Sequence, residues 1–484
     1  MFTELRGIRC HLLGLLVACI LFSFILYAPI LRVYFFAEDL IHISFNWTDI
    51  VAEFWSTGRS VGYRPGETLF IVINNVLWGR NPLGHHAVIV ALHALMGWFV
   101  GLICFRLTKN FQMAFVAALL FLASPIQTEP VIWLAAAVGT VVSSVACMVA
   151  IWLWIRSDAE PGTWTIGITA FLYLIAILTK EFALPLPGLL VVFDWVLKRR
   201  FQPILSRGTI RSVLFYWPFG LVLIIYALLY WHSGAWGGAV SYSIPTGINP
   251  LYLIAHFSLS LNGLFQPFSG LTNFGTGMGN LLWILVFGLL VALSHMRWTF
   301  ALTFVALLPS LLVTGGRMEY LAMTGFSMGI SGLLFDLAKI ISNRITGKLF
   351  LSTLVGMTGL LLIWCTATVY RDSAYFIAAG DANWSILRQA RSLVPDLPPG
   401  AELYFTDIPD DVTFRWGLTQ EIRYVFSDSS LSVYVVRDGP PEWDQISLST
   451  VQCKSAAAQL YFRYSVETEI VSLVDSHAFG LSCP

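Results

Sequence analysis

The protein has 484 residues, of which 57% are hydrophobic and 12% are charged, against about 25% charged residues in soluble domains. Its mean hydropathy is +0.73, and many of its apolar runs are long enough to cross a bilayer, which indicates a polytopic membrane protein. The formal net charge is zero, so the composition indicates no nucleic-acid partner.

The first apolar segment, residues 12–35, follows two basic residues, Arg6 and Arg9. It is longer than the apolar part of a secretory signal peptide, so we interpret it as an uncleaved anchor with a cytoplasmic N-terminus. The segment 249–269 is apolar but contains His256, Asn262 and Gln266, which favours an interfacial or re-entrant helix over a crossing. About eleven transmembrane helices are therefore predicted, at residues 12–35, 86–107, 111–130, 138–156, 164–179, 183–198, 211–232, 280–297, 299–314, 320–338 and 349–369.

With this count, every strongly basic connection lies on the cytoplasmic side, as the positive-inside rule requires. The rule places the first long loop, residues 37–85, and the C-terminal region on the opposite side. We predict an all-α transmembrane domain at 1–370 and a periplasmic or extracellular α/β domain at 371–484. In the second domain, Trp384–Val394 reads as a helix, and AELYF, IRYVF and LSVYVV read as strands. Cys453 and Cys483 could form a disulfide there or remain two free thiols.

An acidic pair, Glu38-Asp39, directly follows the first span. The two carboxylates could simply end a helix in water, but their depth also suits a general base that acts on a lipid-carried substrate. Further acids and bases stand on four other turns predicted for the same membrane face. A shared polar cavity explains this convergence better than five unrelated helix ends do.

Four segments, in this order, resemble a known enzyme family. YRPGETLFIVINNVLWGRNPLGHHAVIVALHAL at 63–95 is similar to a Tyr-Arg-Pro…Asn-Pro-x-Gly-x-His…Leu-His motif of GT-C membrane glycosyltransferases. FLASPIQTEPVIWLAAAVGTVVSS at 121–144, LTKEFALPLPGLLVVFDW at 178–195 and RMEYLAMTGFSMG at 317–329 match further segments of that family. The group resembled most is that of the transmembrane-and-tetratricopeptide-repeat O-mannosyltransferases, relatives of the protein O-mannosyltransferases. The resemblance covers residues 1 to about 370.

The chain departs from the family pattern in three respects. The acidic pair is Glu38-Asp39 instead of Asp-Asp, Gly139 is followed by Thr140 instead of arginine, and the sequence has no 34-residue tetratricopeptide period. These departures bear on the identity of the sugar and of the acceptor, and they leave the transferase scaffold intact.

The resemblance implies inverting transfer of a sugar from a polyprenyl-phosphate donor to an acceptor hydroxyl. The leaving phosphate needs cations, and the attacking hydroxyl needs a base on the opposite side. Asp39 is predicted to be that base, with Glu38 orienting the acceptor or binding a metal. The cations predicted to bind the phosphate are Arg64, Lys180 and Arg317, with Arg64 favoured for its forked geometry. The residues predicted to bind substrate are His42, Tyr63, His86, His93, Glu129, Glu181 and Tyr320.

Several of these residues have a second interpretation. Lys180 and Glu181 could form a salt bridge with each other instead of binding phosphate. His85 and His86 could be a helix-end pair, and His93 a buried hydrogen-bonded residue. No metal site is assigned, although Glu38 and Asp39, with His42, could hold a divalent ion. No other cofactor is predicted.

We therefore expect a multi-pass inner-membrane glycosyltransferase that acts on the extracytoplasmic face. Its partners would be a polyprenyl-phosphate-linked sugar donor, a glycan, lipid or protein acceptor, and membrane lipids. The alternatives are a lipid-linked sugar transporter or flippase, a polysaccharide polymerase or ligase, and a non-catalytic scaffold. A flippase would favour inverted repeats and helices broken at mid-membrane, and the sequence shows no such symmetry.

Overall fold

The computed structural model describes part of the chain. The described residues are 2–55, 57, 62–157, 161–197, 215–234, 250–266, 278–311, 317–345, 349–408, 418–428, 430–436, 445–446, 459–465 and 467–475. Cys453 and Cys483 lie outside them, so their pairing stays a prediction.

The described residues are mostly helical. The α-helices are Phe2–Leu26, Asp39–His42, Trp47–Trp55, Pro65–Trp78, Pro82–Thr108, Phe111–Ala123, Thr128–Ile132, Leu134–Arg156, Thr163–Thr179, Leu186–Val196, Trp217–His232, Pro250–Leu264, Met278–Leu293, Arg297–Ala306, Ala322–Ile345, Phe350–Leu393 and Leu418–Val425. Short 3₁₀ helices occur at Ala28–Arg32, Pro125–Gln127, Glu181–Ala183 and Leu308–Leu311. A helix overlaps each of the eleven predicted spans, and the segment 249–269 contains the helix Pro250–Leu264.

Within the described ranges, four helices are long and apolar enough to cross a membrane, or five if one bent pair counts as a single crossing. The four are Pro82–Thr108, Leu134–Arg156, Ala322–Asn343 and Phe350–Leu393. The third of these is part of the helix Ala322–Ile345. Other apolar helices, such as Thr163–Thr179, are shorter. The protein is a multi-pass membrane protein, and the number of eleven crossings stays a prediction.

Prolines interrupt two of the predicted spans. The first helix ends at Leu26 and not near residue 35, because Pro29 lies in a 3₁₀ turn that follows it. The segment 111–130 is broken at Ser124, before Pro125, and the two halves are bent by 52°. The chain leaves the first break shortly before Glu38-Asp39 and the second shortly before Glu129.

Close packing of the helices depends on small residues. A Cβ atom at Gly97 would lie 2.6 Å from the side chain of Leu122, and one at Gly101 would lie 3.3 Å from the carbonyl oxygen of Ala114. A larger residue at either position would force these neighbours to shift, so the two glycines favour the close approach of the helices Pro82–Thr108 and Phe111–Ala123, as in other membrane helix pairs. The first of these helices is capped by the preceding residue, Asn81, whose side chain accepts a hydrogen bond from the Leu83 amide.

The C-terminal region contains a five-stranded sheet. Its strands are β1 (Glu402–Thr406), β2 (Ser432–Val436), β3 (Gln445–Ile446), β4 (Gln459–Ser465) and β5 (Ile470–Val474). Their spatial order is β3-β2-β1-β4-β5, and all neighbouring pairs are parallel except the antiparallel pair β4–β5. The predicted fold class, a helical polytopic membrane protein with a small C-terminal α/β domain, is confirmed.

The predicted strand IRYVF is wrong, because these residues belong to the helix Leu418–Val425 and the turn that follows it. Ile422 and Phe426, four residues apart, are both buried, whereas Tyr424 between them is exposed. That spacing follows the 3.6-residue period of a helix. The segments AELYF and LSVYVV do form β1 and β2, as predicted.

One helix joins the membrane part to the sheet. Phe350–Leu393 has 44 residues, and the predicted domain boundary at 370 falls inside it. Its C-terminal end packs on the sheet, where Ile386, Leu387 and Ala390 are fully buried. The Gln389 side chain accepts a hydrogen bond of 2.8 Å from the Val471 amide. The C-terminal domain is therefore attached through a continuous helix.

A second contact connects the C-terminal domain to the first loop. The fully buried Glu421 forms an ion pair with Arg80 and accepts a hydrogen bond of 2.8 Å from the Tyr34 hydroxyl. The Arg80 guanidinium also lies 3.7 Å from the centre of the Tyr424 ring. These contacts fix the orientation of the domain relative to the loop.

Candidate functional site

Four charged residues from two predicted loops form one ion-pair cluster, which consists of Arg64, Glu67, Lys180 and Glu181. Arg64 Nε and Nη2 donate hydrogen bonds of 2.9 and 2.6 Å to the two carboxylate oxygens of Glu181. Glu67 Oε2 lies 3.6 Å from Arg64 Nη1, and its Oε1 lies 3.7 Å from Lys180 Nζ. Each cation therefore has a carboxylate partner within the cluster.

Burial and neighbouring charges shift the ionisation of this cluster. Burial lowers the pKa of Lys180 to about 8, and the nearby charge of Arg64 contributes in the same direction. For Glu181, burial opposes ionisation, but the charge and hydrogen bonds of Arg64 outweigh it and lower its pKa to about 2. The ionisation of Lys180 and of Glu181 therefore depends on the neighbouring charges of the cluster.

Gly139, in the helix Leu134–Arg156, contacts the ion-pair cluster. Its amide donates a hydrogen bond of 3.1 Å to Glu67 Oε1. A Cβ atom at this position would overlap the Glu67 carboxylate and lie 2.7 Å from Lys180 Cδ. Only glycine leaves room for both charged side chains. The next residue, Thr140, is fully buried.

The acidic pair has one buried member and one accessible member. Asp39 is only 1% exposed, and its Oδ1 accepts a hydrogen bond of 2.6 Å from the Ala135 amide at the start of the helix Leu134–Arg156. Burial raises the pKa of Asp39 above its usual range, against the effect of this bond. Glu38 is half-buried. Burial raises its pKa too, although the charges of Arg317 and Lys180 are close enough to lower it.

Arg317 and Glu129 connect two further loops. Arg317 Nε lies 2.9 Å from Glu129 Oε1, and its guanidinium lies 4.6 Å from the centre of the Trp133 ring. The side chain of Arg317 is 28% exposed, against 12% for Arg64 and 1% for Lys180. Arg317 is therefore the most accessible of the three cations predicted to bind phosphate.

The histidines and tyrosines predicted to bind substrate lie in the protein interior. His93 Nδ1 lies 2.8 Å from the Tyr320 hydroxyl, and its Nε2 hydrogen-bonds to the Leu122 carbonyl at 3.3 Å. His86 Nε2 hydrogen-bonds to the Val33 carbonyl at 3.2 Å. These three side chains are fully buried, as is Tyr63 at 1% exposure. Their geometry is that of core residues with protein partners.

His42 lies nearer the charges. Burial lowers its pKa to about 4, while Glu67 raises it and Lys180 lowers it. Its Nδ1 has no hydrogen-bond partner within the described ranges. Glu38, Asp39 and His42 do not form a group of ligands for a metal ion, and neither does any other group of three such side chains in the described part of the chain.

The structure thus brings together acids and bases from five loops, at 38–39, 64–67, 129–135, 180–181 and 317. It does not bring His86, His93 and Tyr320 into contact with these charges. Sequence reasoning assigned no role to Glu67, although Glu67 joins both cations of the cluster. Its position three residues after Arg64, at the start of a helix, was the available signal.

A polar cavity of about 460 Å³ lies beside Arg317 and Glu129. It is lined by Pro125, Ile126, Thr128, Glu129, Leu259, Asn262, Gly263, Gln266, Glu319, Asp372 and Phe376. Glu319 was also given no role from the sequence. It is 3% exposed, and its Oε2 has no hydrogen-bond partner in the part of the chain that the structure describes.

The chain was compared with known proteins. No family model matches it. The mouse protein O-mannosyl-transferase TMTC1 is 29% identical over 184 residues, which are 34% of this chain and 19% of that protein. Mouse protein O-mannosyl-transferase TMTC3 is 29% identical over 150 residues, 29% of this chain and 16% of that protein. The resemblance to these O-mannosyltransferases is confirmed.

The matched region spans about a fifth of the length of the first of these relatives. Among solved structures, the chain is similar to ArnT from Cupriavidus metallidurans bound to undecaprenyl phosphate. The sequence identity is 15% and the TM-score 0.47, with 88% of this chain and 86% of that chain covered.

Proposed function

We propose that the protein is an inverting glycosyltransferase of the GT-C type. It would move a sugar from a polyprenyl-phosphate donor to an acceptor hydroxyl at the extracytoplasmic face of the inner membrane. The observation that carries this proposal is a half-buried carboxylate, Glu38, next to the charges of Arg317 and Lys180. Similarity to protein O-mannosyl-transferases over 34% of the chain supports the same reaction class.

The reaction needs a base and a site for the leaving phosphate on opposite sides of the sugar. The acceptor oxygen attacks the anomeric carbon while the bond from that carbon to the phosphate oxygen breaks. A carboxylate takes the proton of the acceptor hydroxyl, and cations stabilise the polyprenyl phosphate that leaves. No step requires a metal ion.

The base remains within the acidic pair, but it is proposed to be Glu38 and not Asp39, the residue expected from the sequence. Glu38 is half-buried and close to the cations, so it can meet an acceptor hydroxyl. Asp39 is almost fully buried, and its Oδ1 already accepts the Ala135 amide hydrogen. Glu38 is therefore proposed as the base, and Asp39 as the residue that fixes the loop on the helix Leu134–Arg156.

The proposed phosphate ligands are Arg317, Arg64 and Lys180. Each is ion-paired in this structure, so a donor phosphate would replace a carboxylate partner. Arg317 is the most exposed and can exchange Glu129 for phosphate with the least rearrangement. Arg64 presents its forked guanidinium to Glu181, the geometry in which arginine also binds phosphate. Glu129, Glu181 and His42 would then contact substrate or move aside for it.

The decisive experiment uses the purified full-length protein with a panel of radiolabelled polyprenyl-phosphate sugars. We expect Glu38→Gln to abolish sugar transfer or release while it retains donor binding, because the carboxamide cannot accept the proton. Arg317→Ala is expected to weaken donor binding. Asp49→Asn serves as the control, because it removes another carboxylate of the first loop, one that hydrogen-bonds the Asn46 amide.

Other outcomes would change specific parts of the proposal. If Glu38→Gln retains wild-type turnover and a folded Asp39→Asn loses it, Asp39 is the base, as expected from the sequence. If the wild-type protein neither binds nor consumes any polyprenyl-phosphate sugar, the transferase proposal fails. The transporter, polymerase and scaffold alternatives would then be tested in its place.

A further inference from the structure

The polar cavity beside Arg317 has the chemistry of a ligand site. Two of its almost completely buried side chains each carry an oxygen atom without a hydrogen-bond partner within the described ranges. These are Glu319, at 3% exposure with Oε2 unpaired, and Thr128, at 3% exposure with Oγ1 unpaired. Because a buried polar atom without a partner is unfavourable, a ligand that hydrogen-bonds to these atoms would offset the cost of burying them.

The cavity lining favours an uncharged ligand. Among the described residues, none of those that line it is a lysine or an arginine, which disfavours a phosphate. Two of its three carboxylates already have arginine partners, Glu129 with Arg317 and Asp372 with Arg371. Burial raises the pKa of the third, Glu319, to about 8, so this group is mostly protonated at neutral pH. The cavity therefore offers little net charge to a cation.

The remaining groups suit a polyhydroxyl compound. The amides of Asn262 and Gln266 and the hydroxyl of Thr128 can each donate and accept hydrogen bonds. A protonated Glu319 can do the same. Phe376 supplies an apolar ring at the same wall. Sugar hydroxyls, which are both donors and acceptors, match this set.

An apolar groove of about 390 Å³ adjoins the polar cavity, and Gln266 lines both. Its other lining residues are Leu120, Ser124, Leu264, Phe265, Trp283, Val286, Leu290, Met323, Phe326, Ser327, Ile330, Leu361 and Cys365. They belong mainly to apolar helices such as Met278–Leu293 and Ala322–Ile345. A ligand that fills both spaces has a polar head and a hydrocarbon chain.

We infer that the cavity binds the sugar of an uncharged acceptor glycolipid, and that the adjoining groove receives its hydrocarbon chain. This inference rests on the proposed glycosyl transfer and names its acceptor class. Glu129 lines the cavity and pairs with Arg317, whose charge acts on Glu38. We therefore expect a hydroxyl of the bound sugar to lie on the side of the cavity toward Glu38. Glu319 is then a residue that binds the acceptor.

The test uses the full-length protein in nanodiscs with a radiolabelled monoglycosyl diacylglycerol that carries a photoreactive group in one acyl chain. We expect labelling of the wild-type protein in the groove, and competition by the unlabelled glycolipid. Glu319→Leu is expected to weaken binding roughly tenfold, whereas Glu319→Gln, which keeps the hydrogen bonds, retains most of it. Diacylglycerol without the sugar is expected to label the groove weakly.

A matched pair of variants tests the groove. Val286→Trp fills it from a half-buried position and is expected to reduce labelling. Leu285→Trp adds the same ring at the neighbouring position, which is 71% exposed, and should leave labelling unchanged. Donor binding, measured on the same preparations, should not differ between the two variants.

Three results would overturn the inference while the proposed function stands. One is equal labelling by diacylglycerol with and without the sugar. Another is equal labelling of Val286→Trp and Leu285→Trp. The third is transfer to serine or threonine peptides, with none to the glycolipid or to a methyl glycoside. Failure of the proposed function is recognised separately, since the wild-type protein would then neither bind nor consume the donor.

Discussion

Replacement of Gly139 by alanine tests whether the ion-pair cluster is built as described. In an ordinary helix this change stabilises by about 1 kcal/mol. Here the new methyl group would overlap the Glu67 carboxylate and lie 2.7 Å from Lys180 Cδ. Because Glu67 is the flexible partner, it is expected to move away. Its hydrogen bond from the Gly139 amide and its contact with Lys180 would then be lost.

The magnitude follows from the burial of the charges. Lys180 is 1% exposed and Glu67 is 6% exposed. Removal of one partner from a buried ion pair costs about 3–5 kcal/mol. The helix propensity of alanine offsets about 1 kcal/mol of this cost. We therefore expect Gly139→Ala to destabilise the protein by about 2–4 kcal/mol and to weaken donor binding.

The assay compares unfolding in detergent by heat and by denaturant, with Gly167→Ala as the matched control. Gly167 lies in the helix Thr163–Thr179, and among the described residues no atom outside its own helix backbone lies within 4 Å of a Cβ placed there. Alanine at that position should be neutral or slightly stabilising. If Gly139→Ala and Gly167→Ala have the same stability, the reasoning about the cluster is refuted.

Two further predictions concern other buried charges. Glu421→Ala leaves Arg80 and Tyr34 without their shared partner and should cost about 3–5 kcal/mol, while Glu402→Ala, in β1 and partly exposed, should cost less. Limited proteolysis should release the C-terminal domain faster in the first variant, and equal rates would show that the Arg80 contact does not hold the domain. For Glu319, burial raises the pKa from 4.5 to about 8. The folded state therefore binds more protons than the unfolded state in this range, and its stability falls as pH rises from about 4.5 to 8. Glu319→Gln should flatten this part of the stability–pH curve, and an unchanged slope would contradict the assignment.

Local sequence patterns predicted the elements that depend on local physics. Long apolar runs give helices because a membrane-embedded backbone must satisfy its own hydrogen bonds, and a helix overlaps every predicted span. The strand-like runs AELYF and LSVYVV predicted β1 and β2 correctly. The segment IRYVF failed because five residues cannot distinguish a period of 2 from one of 3.6, and only packing against its neighbours decides between them.

Among the candidate site residues, chain position indicated that the acidic pair, the three cations and Glu129 lie near one another, and their roles stay predictions. It did not predict that Asp39 would be bonded to the Ala135 amide while Glu38 stayed accessible, because Glu38 directly precedes the short helix Asp39–His42 and adjacent side chains point in different directions. It also assigned no role to Glu67 and Glu319. Their partners are set by contacts between loops far apart in the chain.

The sequence alone determined that this is a helical membrane protein whose loops carry charged residues. The length of an apolar segment and the position of a charge along the chain are both local properties. The tertiary structure decided which charges pair, which member of Glu38-Asp39 is accessible, and that a polar cavity adjoins an apolar groove at Gln266. Those features depend on how helices approach one another. Single glycines such as Gly139 permit that approach, and no local pattern encodes it.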